Sequence, residues 1–254
     1  MQSAFEQLMN TPIDQRLAGV RARMAEAARK SGRSAADTEL VAVTKTHPPE
    51  ALQEAIAAGQ TLFGENRVQE ARAKMPLVSS RARWHFIGHL QKNKVRQALP
   101  VFEMLHSIDS LELARDVQRI ADEDGQRPRV LLEVNVAGEG SKFGFQPASL
   151  AAQLETLVAE MPRLEVLGLM AIPPFSPKPE DSRPYFAALR ELRDRLQEKL
   201  RVGLPELSMG MSGDFEIAIE EGATLIRVGT AIFGERKGKA WKDKGRFPHQ
   251  AEES

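Results

Sequence analysis

Eight short apolar runs, separated mainly by stretches of helical spacing, constrain this chain more than any other feature. The runs fall at residues 40–44, 61–64, 84–87, 104–108, 130–136, 166–172, 207–211 and 225–228, with helical stretches between them such as 49–58, 111–124, 148–160 and 184–200. Strands apolar along nearly their whole length are buried on both faces. That pattern implies a parallel sheet covered by helices, and eight is the number of strands that closes such a sheet on itself. The expected fold is α/β, a (β/α)8 TIM-type barrel. An open doubly wound sheet is the rival, but it requires a glycine-rich turn after the first strand, where this chain reads Thr44-Lys45-Thr46-His47-Pro48-Pro49.

Ahead of the first run, residues 12–30 carry Ile13, Leu17, Val20, Met24 and Ala27 at helical spacing, with arginines between them. This predicts an extra amphipathic helix docked on the barrel, its arginines forming a solvated face. A chain of 254 residues is long for a single domain, yet barrels of this class reach that size around one core. One domain is expected over residues 1–234, followed by a basic, flexible tail at 235–254.

Composition narrows the function. Lysine plus arginine balances aspartate plus glutamate at 35 each, so no global field selects nucleic acid. The absence of cysteine excludes disulfides, thiolate metal sites and a cysteine nucleophile. No window approaches the roughly 20 apolar residues that span a bilayer. A cytoplasmic protein handling a small molecule is expected.

Barrels of this type gather their sites at the carboxyl ends of the strands. Those ends deliver Lys45, Glu65 and Asn66, His89, Ser107 and Asp109, Asn135 and Lys142, Ser212, and finally Arg227, Gly229 and Thr230. Lys45 is an amine at the end of an apolar strand, where desolvation and a nearby cation can keep it nucleophilic; a solvated loop lysine is the plain alternative. Ser212-Gly213-Asp214, opening a helix, and Gly229-Thr230 after the last strand together suit a phosphate, although a helix cap and a tight bend are their structural readings. Period-two alternation places Leu225, Arg227 and Gly229 on one strand face and Ile226 and Val228 on the other. Arg227 then points into the barrel mouth, toward a ligand or an acidic neighbour such as Glu133. His85 and His89 straddle a strand end, so a satisfied histidine suits that context better than a metal pair.

Seven ordered segments carry a resemblance. They are residues 40–46 (LVAVTKT), 63–70 (FGENRVQE), 84–94 (WHFIGHLQKNK), 141–145 (SKFGF), 167–170 (LGLM), 207–214 (LSMGMSGD) and 227–234 (RVGTAIFG). Together they resemble the pyridoxal phosphate homeostasis protein family, over about residues 12–235. The resemblance implies the barrel of fold-type III enzymes, similar to the N-terminal domain of alanine racemase, holding pyridoxal 5′-phosphate (PLP) as an internal aldimine. Carried over by position, Lys45 is the Schiff-base lysine, while Ser212, Gly229 and Thr230 hold the phosphate. Arg227 faces the pyridine nitrogen, Lys142 lies near the cofactor entrance, and Asn66, Met211 and His89 complete the candidate cofactor-binding set. His47 stands where many members carry a lysine, so a relay through a second lysine there is not carried over.

The implied function is intracellular PLP homeostasis: reversible binding, with buffering or delivery to PLP-dependent apoenzymes by transient contact. A monomer without catalysis of its own is expected. A PLP-dependent racemase or decarboxylase is the alternative, and a two-base racemase needs a second acid–base, for which Tyr185, the only tyrosine, His89 or a partner subunit is available. A PLP-free aldolase using Lys45 directly on a carbonyl substrate is a third reading.

Overall fold

The computed structural model describes residues 11–138 and 143–235. Its eight strands form a closed, all-parallel barrel in sequence order. They are β1 (Glu39–Val43), β2 (Leu62–Glu65), β3 (Arg83–Phe86), β4 (Met104–Ile108), β5 (Arg129–Glu133), β6 (Glu165–Met170), β7 (Glu206–Ser208) and β8 (Leu225–Val228). Pairing of β1 with β8, from Glu39 opposite Leu225 to Ala42 opposite Val228, closes the ring.

Helix α1 (Ile13–Lys30) precedes the barrel and buries Ile13, Leu17, Val20, Met24 and Ala27, the face that the spacing predicts. Its arginines do more than face water. Arg21 donates to the Ala58 carbonyl at 2.9 Å, and Arg23 donates to Glu216 at 2.6 Å while lying over the Phe215 ring. Long arginine stems bury apolar length while their heads find acceptors, so the polar edge of α1 fastens it as well as solvating it.

The outer layer continues with α2 (Pro49–Ala57), α3 (Val68–Lys74), α4 (Val95–Ala98), α5 (Leu111–Glu123), α6 (Leu150–Glu160), α7 (Arg183–Leu200), α8 (Phe215–Glu220) and α9 (Thr230–Phe233). Helix α5 begins where the Ser110 hydroxyl accepts the Leu113 N–H, and five apolar side chains on one face of it are buried. Most apolar side chains fill the layer between strands and helices. A second, smaller cluster of Val41, Leu62, Met104, Leu131, Met170 and Leu225 fills the barrel interior. Leu225 inside, with Ile226 and Val228 in the outer layer, confirms the alternation read along β8.

Three strands are shorter than their apolar runs, and β6 ends at Met170, two residues before its run does. β7 stops at Ser208 instead of residue 211, because Gly210 adopts φ +89° and turns the chain toward α8. Only glycine suits that turn, since a Cβ there would lie 2.5 Å from the Ala218 Cβ. β5 stops at Glu133, beyond which Val134 forms a single bridge to Phe145. Lys142, and the basic tail from residue 236 onward, lie outside the described residues.

Candidate functional site

Two groups of polar residues converge where the strands end, one inside the barrel and one at its mouth. Inside, Arg227 is 5 % exposed. Its Nη1 donates to Ser208 Oγ at 2.6 Å and its Nη2 to the Ala171 carbonyl at 3.0 Å. Ser208 Oγ lies 2.9 Å from His106 Nδ1, and His106 Nε2 lies 3.0 Å from His85 Nδ1. β8, β7, β4 and β3 thus contribute one residue each to a continuous buried polar row. Burial lowers Arg227 to about 10, opposed by the negative charges of Glu133 and Asp214, so the guanidinium stays charged at neutral pH. Burial also lowers His85 to about 3, and it lowers His106 strongly, so both imidazoles are neutral at pH 7. His85 is therefore a satisfied core histidine, as its strand context suggests.

At the mouth, a cavity of about 390 Å³ is lined by Lys45, Asn66, Met211, Ser212, Arg227, Gly229 and Thr230. Seven of the nine sequence-derived site residues therefore share one cavity. Its volume falls within the range of small-ligand pockets. The loop after β6 forms an apolar wall that includes Ile172, Pro174 and Phe175, and Phe175 is 96 % exposed.

Ser212 differs from its sequence reading. The segment Ser212-Gly213-Asp214 leads into α8, but Asp214 and not Ser212 holds the N-cap position, and Asp214 Oδ1 accepts the Met211 N–H at 2.7 Å. Ser212 Oγ instead accepts the N–H groups of Gly229 and Ala231, at 3.2 and 3.3 Å. The loop after β7 and the turn after β8 are thereby joined at the edge of the cavity that Ser212 and Gly229 line. Gly229 permits a close approach to β1, since a Cβ there would lie 3.2 Å from the Val43 carbonyl oxygen.

Other strand-end residues are engaged elsewhere. Glu65 and Ser107 are buried; Glu65 receives Lys74 and the Thr44 hydroxyl, and Ser107 donates to the Gly88 carbonyl. The Asn135 N–H donates to the Phe145 carbonyl. His89 is outside the cavity lining, where its ring stacks on Phe143 with centroids 4.1 Å apart and its Nδ1 lies 3.2 Å from Asp109. Tyr185 lies on α7 and does not line the cavity either. Among the described residues, no group of three or more His, Asp or Glu could hold a metal ion. None of the described helices is long and apolar enough to cross a membrane.

Sequence reasoning missed His106 and Ser208 as partners of Arg227. The available signal was a histidine within the otherwise buried run of β4, a position that a chain fills with a polar ring only when a partner waits inside.

Comparison with known proteins matches residues 16–237 to the family model for the alanine racemase N-terminal domain. A pyridoxal phosphate homeostasis protein of Aquifex aeolicus is 47 % identical over 224 residues, covering 88 % of this chain and 98 % of the relative. The chain belongs to the pyridoxal phosphate homeostasis protein family. A second member, from Pseudomonas aeruginosa, is 46 % identical and covers 88 % of this chain and 96 % of its own length. Among solved structures, PipY of Synechococcus elongatus PCC7942 with PLP bound superimposes with a TM-score of 0.76 at 40 % identity, covering 87 % of this chain and 100 % of PipY. The family frame extends over every residue of the cavity described above.

Proposed function

We propose that this protein binds PLP reversibly through Lys45 and serves PLP homeostasis, holding the cofactor and releasing it to apoenzymes. The observation that carries the reading is the single cavity that gathers an amine, a buried guanidinium and the hydroxyls of Ser212 and Thr230. The family's homeostasis proteins and the PLP-bound PipY support it.

The residues fit the group. Asn66 lines the cavity, and its Oδ1 is a buried oxygen that accepts no hydrogen bond, which leaves this side chain with acceptor capacity for a ligand. Ser212 and Thr230 offer two hydroxyls for a phosphate, with Gly229 lining the wall beside them. PLP supplies an aldehyde that condenses with an amine and a ring that can withdraw electrons. Lys45 provides the amine at the cavity wall. Arg227 stays protonated at pH 7 and only donates, so an acceptor nitrogen facing it is left without a proton of its own. A ring held in that state is a weak electron sink, which favours holding the cofactor over carbanion chemistry. A two-base racemase also needs a second proton carrier at the cavity, and neither Tyr185 nor His89 lines it. We therefore assign no catalysis to the chain, and we read it as one barrel domain acting in the cytoplasm as a monomer.

The test is an absorbance titration with PLP on the wild type and on Lys45→Ala, followed by borohydride reduction and peptide mass mapping. A lysine-linked absorbance band that is absent from the variant, with the reduced adduct on Lys45, supports the reading. No band in the wild type, or an adduct elsewhere with Lys45 unmodified, sinks it and favours the PLP-free barrel. Turnover of free amino acids by the loaded protein would instead favour the enzyme alternative.

A further inference from the structure

Lys45 stands between two peptide groups that are both gripped by α3. On one side, the carbonyl of Thr44 accepts Lys74 Nζ at 2.8 Å. On the other, the N–H of Thr46 donates to Glu70 Oε2 at 3.0 Å. Glu70 and Lys74 are one helical turn apart, with Glu70 Oε2 3.7 Å from Lys74 Nζ, so they form one rigid clamp. Lys74 is fully buried and bonds Glu65 Oε1 at 2.6 Å, which also accepts the Thr44 hydroxyl at 2.7 Å. Burial pushes the Glu65 carboxyl up, against the pull of Lys74.

The gripped backbone is unusual. Thr46 has φ +69°, in the left-handed region that a β-branched residue rarely adopts. Such a conformation costs on the order of 1–3 kcal/mol and persists only where surrounding contacts over-determine it. Here those contacts are the two hydrogen bonds from α3 together with the turn bond from the His47 N–H to the Thr44 carbonyl at 3.0 Å, and the residue they fix is the one next to Lys45. A buried charge pair is a poor device for stability alone, since an apolar pair of similar volume is often as good.

We propose that Glu70 and Lys74, anchored by Glu65, are positioning residues that hold the Lys45 backbone so that its amine is presented to an aldehyde in the cavity. The inference rests on the PLP reading above and extends it to residues that touch no ligand. Glu70 is the residue to test, because it is partly exposed and its removal leaves the buried Glu65–Lys74 pair intact.

Pyridoxine 5′-phosphate, which carries an alcohol in place of the aldehyde, separates non-covalent binding from capture by Lys45. In Glu70→Ala, the rate at which PLP becomes linked to Lys45, followed by absorbance and borohydride trapping, is expected to fall by at least about tenfold, against the roughly hundredfold that a 1 Å misplacement of a reacting group can cost. Affinity for pyridoxine 5′-phosphate should stay within about twofold, and Glu70→Gln, which keeps the acceptor, should restore most of the capture rate. Capture by Glu70→Ala at the wild-type rate, or an equal loss in pyridoxine 5′-phosphate affinity, overturns the positioning role while the PLP reading stands. Failure of the wild type to link PLP removes the reading and this inference with it.

Discussion

Arg227 Nη1 donates to Ser208 Oγ at 2.6 Å inside the barrel, so the cation at the cavity wall is aimed by a residue from the neighbouring strand. Ser208 Oγ also meets His106, which makes the serine the junction between the guanidinium and the two imidazoles. Replacing Ser208 by Ala takes away an acceptor from a buried charged donor, which costs about 1–3 kcal/mol. Ser208→Ala is expected to lower the unfolding free energy by that amount, read as a lower urea midpoint, with Ser208→Thr close to wild type. Equal midpoints for wild type and Ser208→Ala would show that Arg227 finds its stability elsewhere.

The two buried histidines give the protein a definite acid response. His85 titrates near 3 in the fold against 6.5 in a free chain, and burial lowers His106 in the same direction. Below pH 6.5 the unfolded chain takes up protons that the native chain refuses, so stability is lost as pH falls from 6.5 toward 3, and nothing is contributed above that window. Each histidine steepens the loss by up to about 1.4 kcal/mol per pH unit. The unfolding free energy of wild type should therefore fall between pH 6 and 4.5 more steeply than that of a His85→Asn, His106→Gln variant, whatever the variant's stability at pH 7. Glu65 and Glu133, both pushed up by burial, are present in both proteins and leave the comparison intact. Parallel pH profiles would mean that the imidazoles accept protons in the native state.

The eight strands were legible because a parallel barrel buries both strand faces, leaving apolar runs such as 40–43, which the burial of β1 reproduces, and 130–136, whose first three residues are buried in β5. Strand-end chemistry was legible for the same reason, since a polar residue directly after a buried run has few places to go but the mouth. The interior polar row was not, because His106 and Ser208 acquire meaning only when β4 and β7 are brought together across 102 residues of chain. The clamp on Lys45 escaped for a related reason. Lys74 looks like a surface lysine ending a helix, and only the fold shows it fully buried against Glu65.

Gly168 sets how closely β6 and β7 can lie. It pairs with Glu206, and a Cβ built on it would sit 1.9 Å from the Glu206 carbonyl oxygen. Backbone cannot yield there as the end of a flexible side chain would, so Gly168→Ala must separate the two strands and open the ring. We expect a loss of about 3 kcal/mol or more, visible as a lowered melting temperature or insoluble expression. Near-wild-type melting would show that the β6–β7 seam is far more pliant than this contact allows.

Ser212 offers the sharpest separation of phosphate recognition from ring recognition. Its oxygen already accepts two N–H groups, from Gly229 and Ala231, so its own O–H remains to donate toward the cavity it lines. A hydrogen bond to a phosphate oxygen is charge-assisted and contributes about 1.5–3 kcal/mol, which corresponds to roughly tenfold or more in affinity. Ser212→Ala should therefore weaken pyridoxine 5′-phosphate by at least about tenfold while leaving the much weaker binding of pyridoxine, which lacks the phosphate, unchanged. Calorimetric titration of both ligands against both proteins reads the difference directly. If the two affinities fall together, Ser212 acts by joining its two loops and the phosphate is held by Gly229, Thr230 or another wall of the cavity.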